Sequence, residues 1–373
     1  MRIERGRVPA EVAEGYVREA EAEMAAMDVD GAKGATPPGR TGPQWDGTIW
    51  RPLAAHLLDP NKRYQIIAHP SQVELAKKFA SAYPQRFCFH PTQWGKFKDG
   101  TDNIEVGGFY PVNRIRGENV IFVASFHNND AAFSQFHVLC MLCESFIKSL
   151  TIVLPYYPVG SMERAENGQV ATASTLARLF SNLPRIGKPI RLMVYDLHTL
   201  QNKFYLQNNA VATLHTAIPL LISEVTSPGS KFDCLAFPSE RACKRFKGIF
   251  EPACKDWACV ICGKVRTADA KKIAIQDGDP KGKHCIIVDD LVMSGSTLIE
   301  CAETLKAAGA ASVSAYVTHA VFPGGWDRFC DANGGPIETL YVTNSNPTVT
   351  DQLPKDDRFK VLDLFGVVLQ DLE

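Results

Sequence analysis

The chain lacks a dominant charge: 40 Lys and Arg stand against 41 Asp and Glu over 373 residues, for a formal net charge of −1. Without a basic field, neither nucleic acid nor an anionic membrane is an expected partner. No apolar run reaches transmembrane length, and the first residues carry no secretory core. The opening stretch MRIERGRVPAEVAEGYVREAEAEMAAMDVD mixes acids with its arginines, unlike an organellar transit peptide, so the expected address is cytoplasmic. Metal-type cysteine arrays are also missing. Among eleven cysteines, Cys140/Cys143 and Cys259/Cys262 have CxxC spacing, but the pairs lie far apart. The first pair falls in an apolar helical stretch and the second in a strand, where alternate residues face opposite ways. Buried free thiols are the expectation, and the odd count favours a reducing compartment.

What is present is a hydrophobic fraction of 45%, enough for substantial cores in two α/β domains. The chain is organised around residues 284–309, HCIIVDDLVMSGSTLIECAETLKAAG. Cys285, Ile286, Ile287 and Val288 predict a strand buried on both faces, ending in Asp289 and Asp290. A small-residue loop follows, Ser294-Gly295-Ser296-Thr297, and then a helix with Leu298, Cys301, Ala302, Leu305 and Ala308 at helical spacing, stopped by Gly309. Unpaired N–H groups at a helix N-terminus, together with the loop hydroxyls, favour a phosphate. Acids beside a phosphate suit sugar hydroxyls or a metal.

Elsewhere, strand and helix patterns alternate from Arg63. RYQIIAHP, RFCFHP, NVIFVASF, LTIVLPYY and IRLMVYDLH read as strands, with helices at QVELAKKFASAY, AAFSQFHVLCMLCESFIK and TASTLARLFSNL. This rhythm predicts a mainly parallel sheet over residues 61–213. It repeats over residues 214–373 through TAIPLLISEV, FDCLAF, ACKRFKGIF, WACVICGKV, the strand at 285 and SVSAYVTHAVF. The closing segment FKVLDLFGVVLQDL offers another strand and an apolar stretch that returns to the first domain. Residues 1–60 are read as an N-terminal extension, with a helix over residues 10–27 and loop over residues 30–45. It would be a solvated tail or a docking segment.

Beyond the phosphate loop, SLTIVLPYYPVGSMERAENGQVATASTLARLFSNL, LMVYDLHTLQNKFY and AYVTHAVF resemble ribose-phosphate diphosphokinases (PRPP synthetases), most closely their plant-type class. The resemblance runs from about Arg63 to Glu373, with shorter matches at FKDG and IRG. It implies two type I phosphoribosyltransferase-like domains, magnesium dependence, assembly as dimers or multiples of them, and diphosphoryl transfer from ATP to ribose 5-phosphate. It implies a ribose 5-phosphate site at Asp289, Asp290, Ser294, Gly295, Ser296 and Thr297, and metal binding at His198 with Asp196 beside it. It implies nucleotide contacts at Phe97 and Asp99, from a neighbouring subunit, and at Glu163 and Arg164. Lys264 and Arg266 resemble the cations at the base of the family's catalytic loop, where positioned charge stabilises the oxygens of a transferring phosphoryl group.

The departures from the family pattern share a direction. Asn208 and Asn209 stand where acids are common, and Ser239, Glu240 and Arg241 replace an acidic pair followed by Gly. Ser296 stands at an expected Gly, which predicts either a strained positive φ or a crowded loop, and Met293 brings no hydrogen bond. Two readings therefore compete: an active diphosphokinase, and a catalytically degraded paralogue serving as a structural or regulatory subunit of a larger assembly through residues 1–60. A base phosphoribosyltransferase is a third, disfavoured because one such domain would suffice.

Overall fold

The computed structural model describes residues 42–45, 50–53, 62–158, 167–207, 209–266, 271–330 and 335–372. The predicted helix over residues 10–27 lies outside them. At the first described positions β1 (Gly42–Trp45) and β2 (Trp50–Leu53) pair antiparallel, so the expected loop over residues 30–45 gives way at its end to a short ribbon.

From there two sheets are built in turn. The first joins β3 (Tyr64–Ala68), β4 (Phe87–Phe89), β7 (Asn119–Val123), β8 (Ser149–Leu154), β9 (Ile190–Tyr195) and β10 (Ala210–His215), in the order β10-β9-β8-β7-β3-β4. Every neighbour in it is parallel. The strands are the near-continuous apolar runs that a sheet covered on both faces requires. On one face lie α2 (Asn129–Glu144) and α3 (Thr172–Ser181), whose Phe136, Leu139, Leu142 and Phe180 pack on Phe122, Ile152 and Leu192. On the other lie α1 (Val73–Ala82) and, from the far end of the chain, α8 (Phe365–Asp371). Leu364, Val367, Val368 and Leu369 share a core with Ile66, Phe79, Val123 and Met193, so the closing segment does return to the first sheet.

Between β4 and β7 a separate antiparallel hairpin projects, formed by β5 (Thr92–Lys96) and β6 (Asp102–Val106). Its polar strands carry no apolar run, which is why sequence pattern alone did not reveal it.

The second sheet has the order β13-β12-β11-β14-β15-β16-β17. Its members are β11 (Cys234–Phe237), β12 (Ala258–Arg266), β13 (Lys271–Asp277), β14 (His284–Val292), β15 (Ser312–Ala320), β16 (Leu340–Thr343) and β17 (Phe359–Leu362). Only the edge strand β13 is antiparallel to its neighbour. One face is covered by α4 (Ile218–Val225) and α5 (Glu240–Phe250), the other by α6 (Ser296–Ala307). Between β16 and β17 lies α7 (Pro347–Thr350). Cys259 packs on the α5 side and Cys262 on the α6 side, while Cys140 and Cys143 both join the first core. None of the eleven cysteines is in a disulfide.

Candidate active site

β14 is the inner strand on which the site is built. Cys285 through Val288 are fully buried between helix layers, with β11 and β15 on either side. The strand does not stop at its acids: Leu291 and Val292 remain paired with His319 and Ala320. Asp289 is half-buried and Asp290 buried, and the Asp289 carboxylate accepts the Asp290 N–H at 3.0 Å. Burial, together with the adjacent Asp290 charge, pushes the Asp289 carboxyl up to about 7.

The loop then turns into α6 through Gly295, whose φ of +79° places it in the left-handed region. A Cβ built there would lie 2.5 Å from the Phe329 ring, so both conformation and space require glycine. Of the two outcomes expected at Ser296, a positive φ is absent: Gly295 takes the left-handed turn one residue earlier, and Ser296 is the first residue of the helix. Its hydroxyl lies 3.1 Å from that of Ser294. At Thr297 and Leu298 the N–H groups have no acceptor among the described residues, as expected for the open end of a helix.

Two sheets meet at His198. It follows β9, and its Nδ1 donates to both oxygens of Asp290 at 3.0 Å. A carboxylate only accepts, so this bond places the proton on Nδ1 and leaves Nε2 for another partner. The Asp290 hydrogen bond raises the His198 pKa against the opposing effect of burial.

Asp196 is buried, with an uncommon positive φ of 37°. Its Oδ2 accepts the Ala217 N–H at 2.9 Å and the Thr318 hydroxyl at 2.6 Å. Those bonds fix the end of β9 to the start of α4 and to β15.

Arg245 joins the two acids. From α5 its Nη1 donates to Asp290 Oδ2 at 2.7 Å, and its Nη2 lies 3.9 Å from Asp196 Oδ1. Beside Asp196 and Arg245 lies a cleft of about 470 Å3, walled in part by Leu200, Phe246 and Asp371. Arg245 lies beyond the substituted turn, Ser239 to Arg241, at which the chain departs from the family pattern. Ser239 there caps α5 by accepting the Ala242 N–H at 3.1 Å, Glu240 pairs with Lys244 at 2.6 Å, and Arg241 is exposed. The signal that could have found Arg245 is its place on the helix: a cation directly before the buried Phe246, near the half-buried edge of an amphipathic face.

The remaining expected residues are spread more widely. Phe97 and Asp99 form the tip of the β5–β6 hairpin, closed by the Phe97 N–H to Thr101 carbonyl bond at 2.8 Å. Phe97 is 55% exposed, contrary to the ordinary fate of a phenylalanine, and Asp99 is held below its usual carboxylate range by the Thr101 hydroxyl. Lys264 is exposed near the end of β12, where Lys264 pairs with Ile273 and Arg266 with Lys271 in the backbone ladder. Glu163, Arg164 and Asn208 lie outside the described residues. Asn209 is buried and donates to the Leu183 carbonyl at 2.9 Å. No contact joins Phe97, Asp99 or Lys264 to His198 or the serine loop among the described residues. Nor does any group of three or more His, Cys, Asp or Glu there form a ready-made metal cage.

Two consecutive mainly parallel α/β sheets, with paired acids and a serine loop at the end of an inner strand of the second, define a protein of the phosphoribosyltransferase type. Residues 264–325 match the phosphoribosyl transferase domain family. Ribose-phosphate pyrophosphokinase 4 of Arabidopsis thaliana is 38% identical over 80% of this chain and 89% of its own. Its namesake from Oryza sativa subsp. japonica is 39% identical over 80% of this chain and 92% of its own. The chain belongs to the ribose-phosphate pyrophosphokinase family. Its fold is similar to the crystal structure of phosphoribosylpyrophosphate synthetase from Mycobacterium smegmatis, with a TM-score of 0.66 and 21% identity, covering 83% of this chain and 98% of that one.

Proposed function

We propose that this protein is a working ribose-phosphate diphosphokinase, transferring the β,γ-diphosphoryl group of ATP to the anomeric hydroxyl of ribose 5-phosphate to give PRPP and AMP. The observation that carries the reading is the His198–Asp290 bond, which brings a residue of the first sheet to the sugar-binding acids of the second. Residues 61–213 would form the nucleotide side and residues 214–373 the ribose 5-phosphate side.

In this scheme the sugar hydroxyls bond to Asp289 and Asp290, and its phosphate to the N–H groups and hydroxyls of Ser294 to Thr297. The adenine stacks on Phe97 and bonds to Asp99, both presented by a neighbouring copy of the chain or a family member, with Glu163 and Arg164 completing the nucleotide site. Lys264 and Arg266 supply cations for the oxygens of the transferring diphosphoryl group. Mg2+ suits the acid cluster, because burial first and the adjacent Asp290 charge second raise the Asp289 pKa, and a hard cation at the paired carboxylates would favour their charged forms. His198 and Asp290 would hold the ion, and it supplies charge neutralisation for the triphosphate when bound. Asp196, with Oδ2 already accepting two hydrogen bonds, would support that arrangement through Arg245.

The degraded-paralogue reading rested on lost acids, and the lost position at Ser239 is used here to cap α5. Within the site, Asp289, Asp290, His198 and the loop are intact. Among the described residues no helix is long and apolar enough to cross a membrane. A cytoplasmic address suits a chain whose cysteines form no disulfide. Residues 1–60 would provide any docking to a larger assembly.

The direct test is AMP formation from MgATP and ribose 5-phosphate by purified protein, beside an Asp290→Ala control. Turnover that disappears in the control is expected. A well-folded protein with no turnover above that control would overturn the catalytic reading and leave a structural or regulatory subunit.

A further inference from the structure

A cation reaches the phosphate loop from a part of the chain that the resemblance did not assign to it. Arg328 sits in the short 3-10 turn Asp327–Phe329, after β15. Its Nη1 donates to Ser296 Oγ at 2.8 Å and to the Ser294 carbonyl at 3.3 Å. No carboxylate pairs with it among the described residues, and its guanidinium makes no other hydrogen bond to them. Exposed arginines usually wander. This one is fixed between aromatic anchors: Trp326 and Phe329 both pack edge-to-face on Phe322, with ring centroids 6.4 and 5.6 Å away. Phe329 is also the ring lying under Gly295. The turn and the loop are thus one packed unit, with Arg328 held at its rim.

The direction of the bond matters. A guanidinium can only donate, so Ser296 Oγ accepts from Arg328 and keeps its own proton for another acceptor. That acceptor is Ser294 Oγ at 3.1 Å or an anion lying in the loop. Arg328 therefore orients the serine hydroxyl as a donor toward the place where the open N–H groups of Thr297 and Leu298 point their charge. Ser296, at a position expected to be Gly, thereby gains a use.

Resting on the diphosphokinase reading, we propose that Arg328 is a substrate-binding residue: with Ser296 it recognises the phosphate of the sugar phosphate and sets the preference for phosphorylated over free ribose. Arginine suits this task because its planar fork offers paired donors and stays charged. The remaining N–H groups of Arg328 would bond to the phosphate oxygens directly.

The test combines equilibrium binding with kinetics on the full chain. Binding of ribose 5-phosphate and of ribose is measured by titration calorimetry for wild type, Arg328→Gln, Arg328→Lys and Ser296→Gly, with circular dichroism to verify folding. We expect Arg328→Gln to weaken ribose 5-phosphate binding at least tenfold, to leave ribose binding unchanged, and to raise KM for ribose 5-phosphate without raising KM for MgATP. Arg328→Lys should recover part of the loss, and Ser296→Gly should lose less than Arg328→Gln. Equal weakening of both sugars, or ribose 5-phosphate affinity within twofold of wild type, would overturn the proposal, as would a wild type that binds no ribose 5-phosphate. A wild type that binds it with the expected Arg328 dependence but forms no AMP would keep the phosphate assignment and defeat the diphosphokinase reading instead.

Discussion

His198 and Asp290 lie 92 residues apart in sequence and are joined by an imidazole that meets both carboxylate oxygens at 3.0 Å. The bond crosses from the end of β9 to β14, and Arg245 approaches the same carboxylate from α5 at 2.7 Å. Asp290 is therefore shared by three elements.

Removing Arg245 leaves a buried carboxylate with one partner fewer. Arg245 and Asp290 side chains are only 16% and 8% exposed, so solvent cannot replace the lost bond fully. Arg245→Met should destabilise the protein by about 3 kcal/mol, read from urea unfolding. AMP formation should fall with it, and the conservative Arg245→Lys should restore stability better than activity, because one ammonium cannot address both acids.

The burial of Asp289 beside the Asp290 charge makes a pH prediction. Its folded-state pKa, about 7, lies above its ordinary value of 3.8. The folded state thus binds the proton more tightly, and this contribution to stability is complete below the unfolded value and fades as pH rises toward 7. His198 adds a trend of the same sign, present below its ordinary value of 6.5 and lost through its raised folded pKa. In chelator-treated protein, Asp289→Asn should flatten the decline of Tm between pH 4 and pH 7 relative to wild type, intervals set by those pKa values. Parallel Tm curves for the two proteins would count against it.

Gly295→Ala should damage the loop twice over. The residue would have to hold φ near +79° and press on Phe329 at 2.5 Å. A cost of about 1–3 kcal/mol follows from the backbone conformation alone. Equilibrium unfolding gives the cost, and weaker ribose 5-phosphate binding should accompany it.

Phe97 tests the hairpin tip. Its ring is 55% exposed, so Phe97→Ala should leave Tm unchanged. Base stacking on an aromatic is worth about 1–3 kcal/mol, which predicts a rise of about five- to 150-fold in KM for ATP. KM for ribose 5-phosphate should stay in place, and equal shifts in both would place Phe97 elsewhere.

The parts of the site that could be read from sequence are those in which strand, acids, loop and helix follow one another without interruption. Residues 284–309 are such a segment, and nearly all the buried strands announced themselves as apolar runs. Arg245, Thr318 and Arg328 could not be read that way, because each reaches the site from a different element and its neighbours in sequence say nothing of Asp290, Asp196 or Ser296. The hairpin of β5 and β6 was hidden because its residues are largely polar. Strain at Ser296, one of the two outcomes its residue type allowed, is absent because one residue's difference decides which position takes the left-handed turn. Ser239 shows the converse: a departure that looked like damage has a structural use as a helix cap.

The packing of α8 against β3 and β7 has a consequence for biosynthesis. Leu364, Val367, Val368 and Leu369 complete one side of the first core, yet ribosomes deliver them after both sheets have emerged. The nascent first half must wait with that apolar face uncovered while the second half is made. Its exposure to chaperones, and its vulnerability to premature termination, would therefore be set by translation of the later segment.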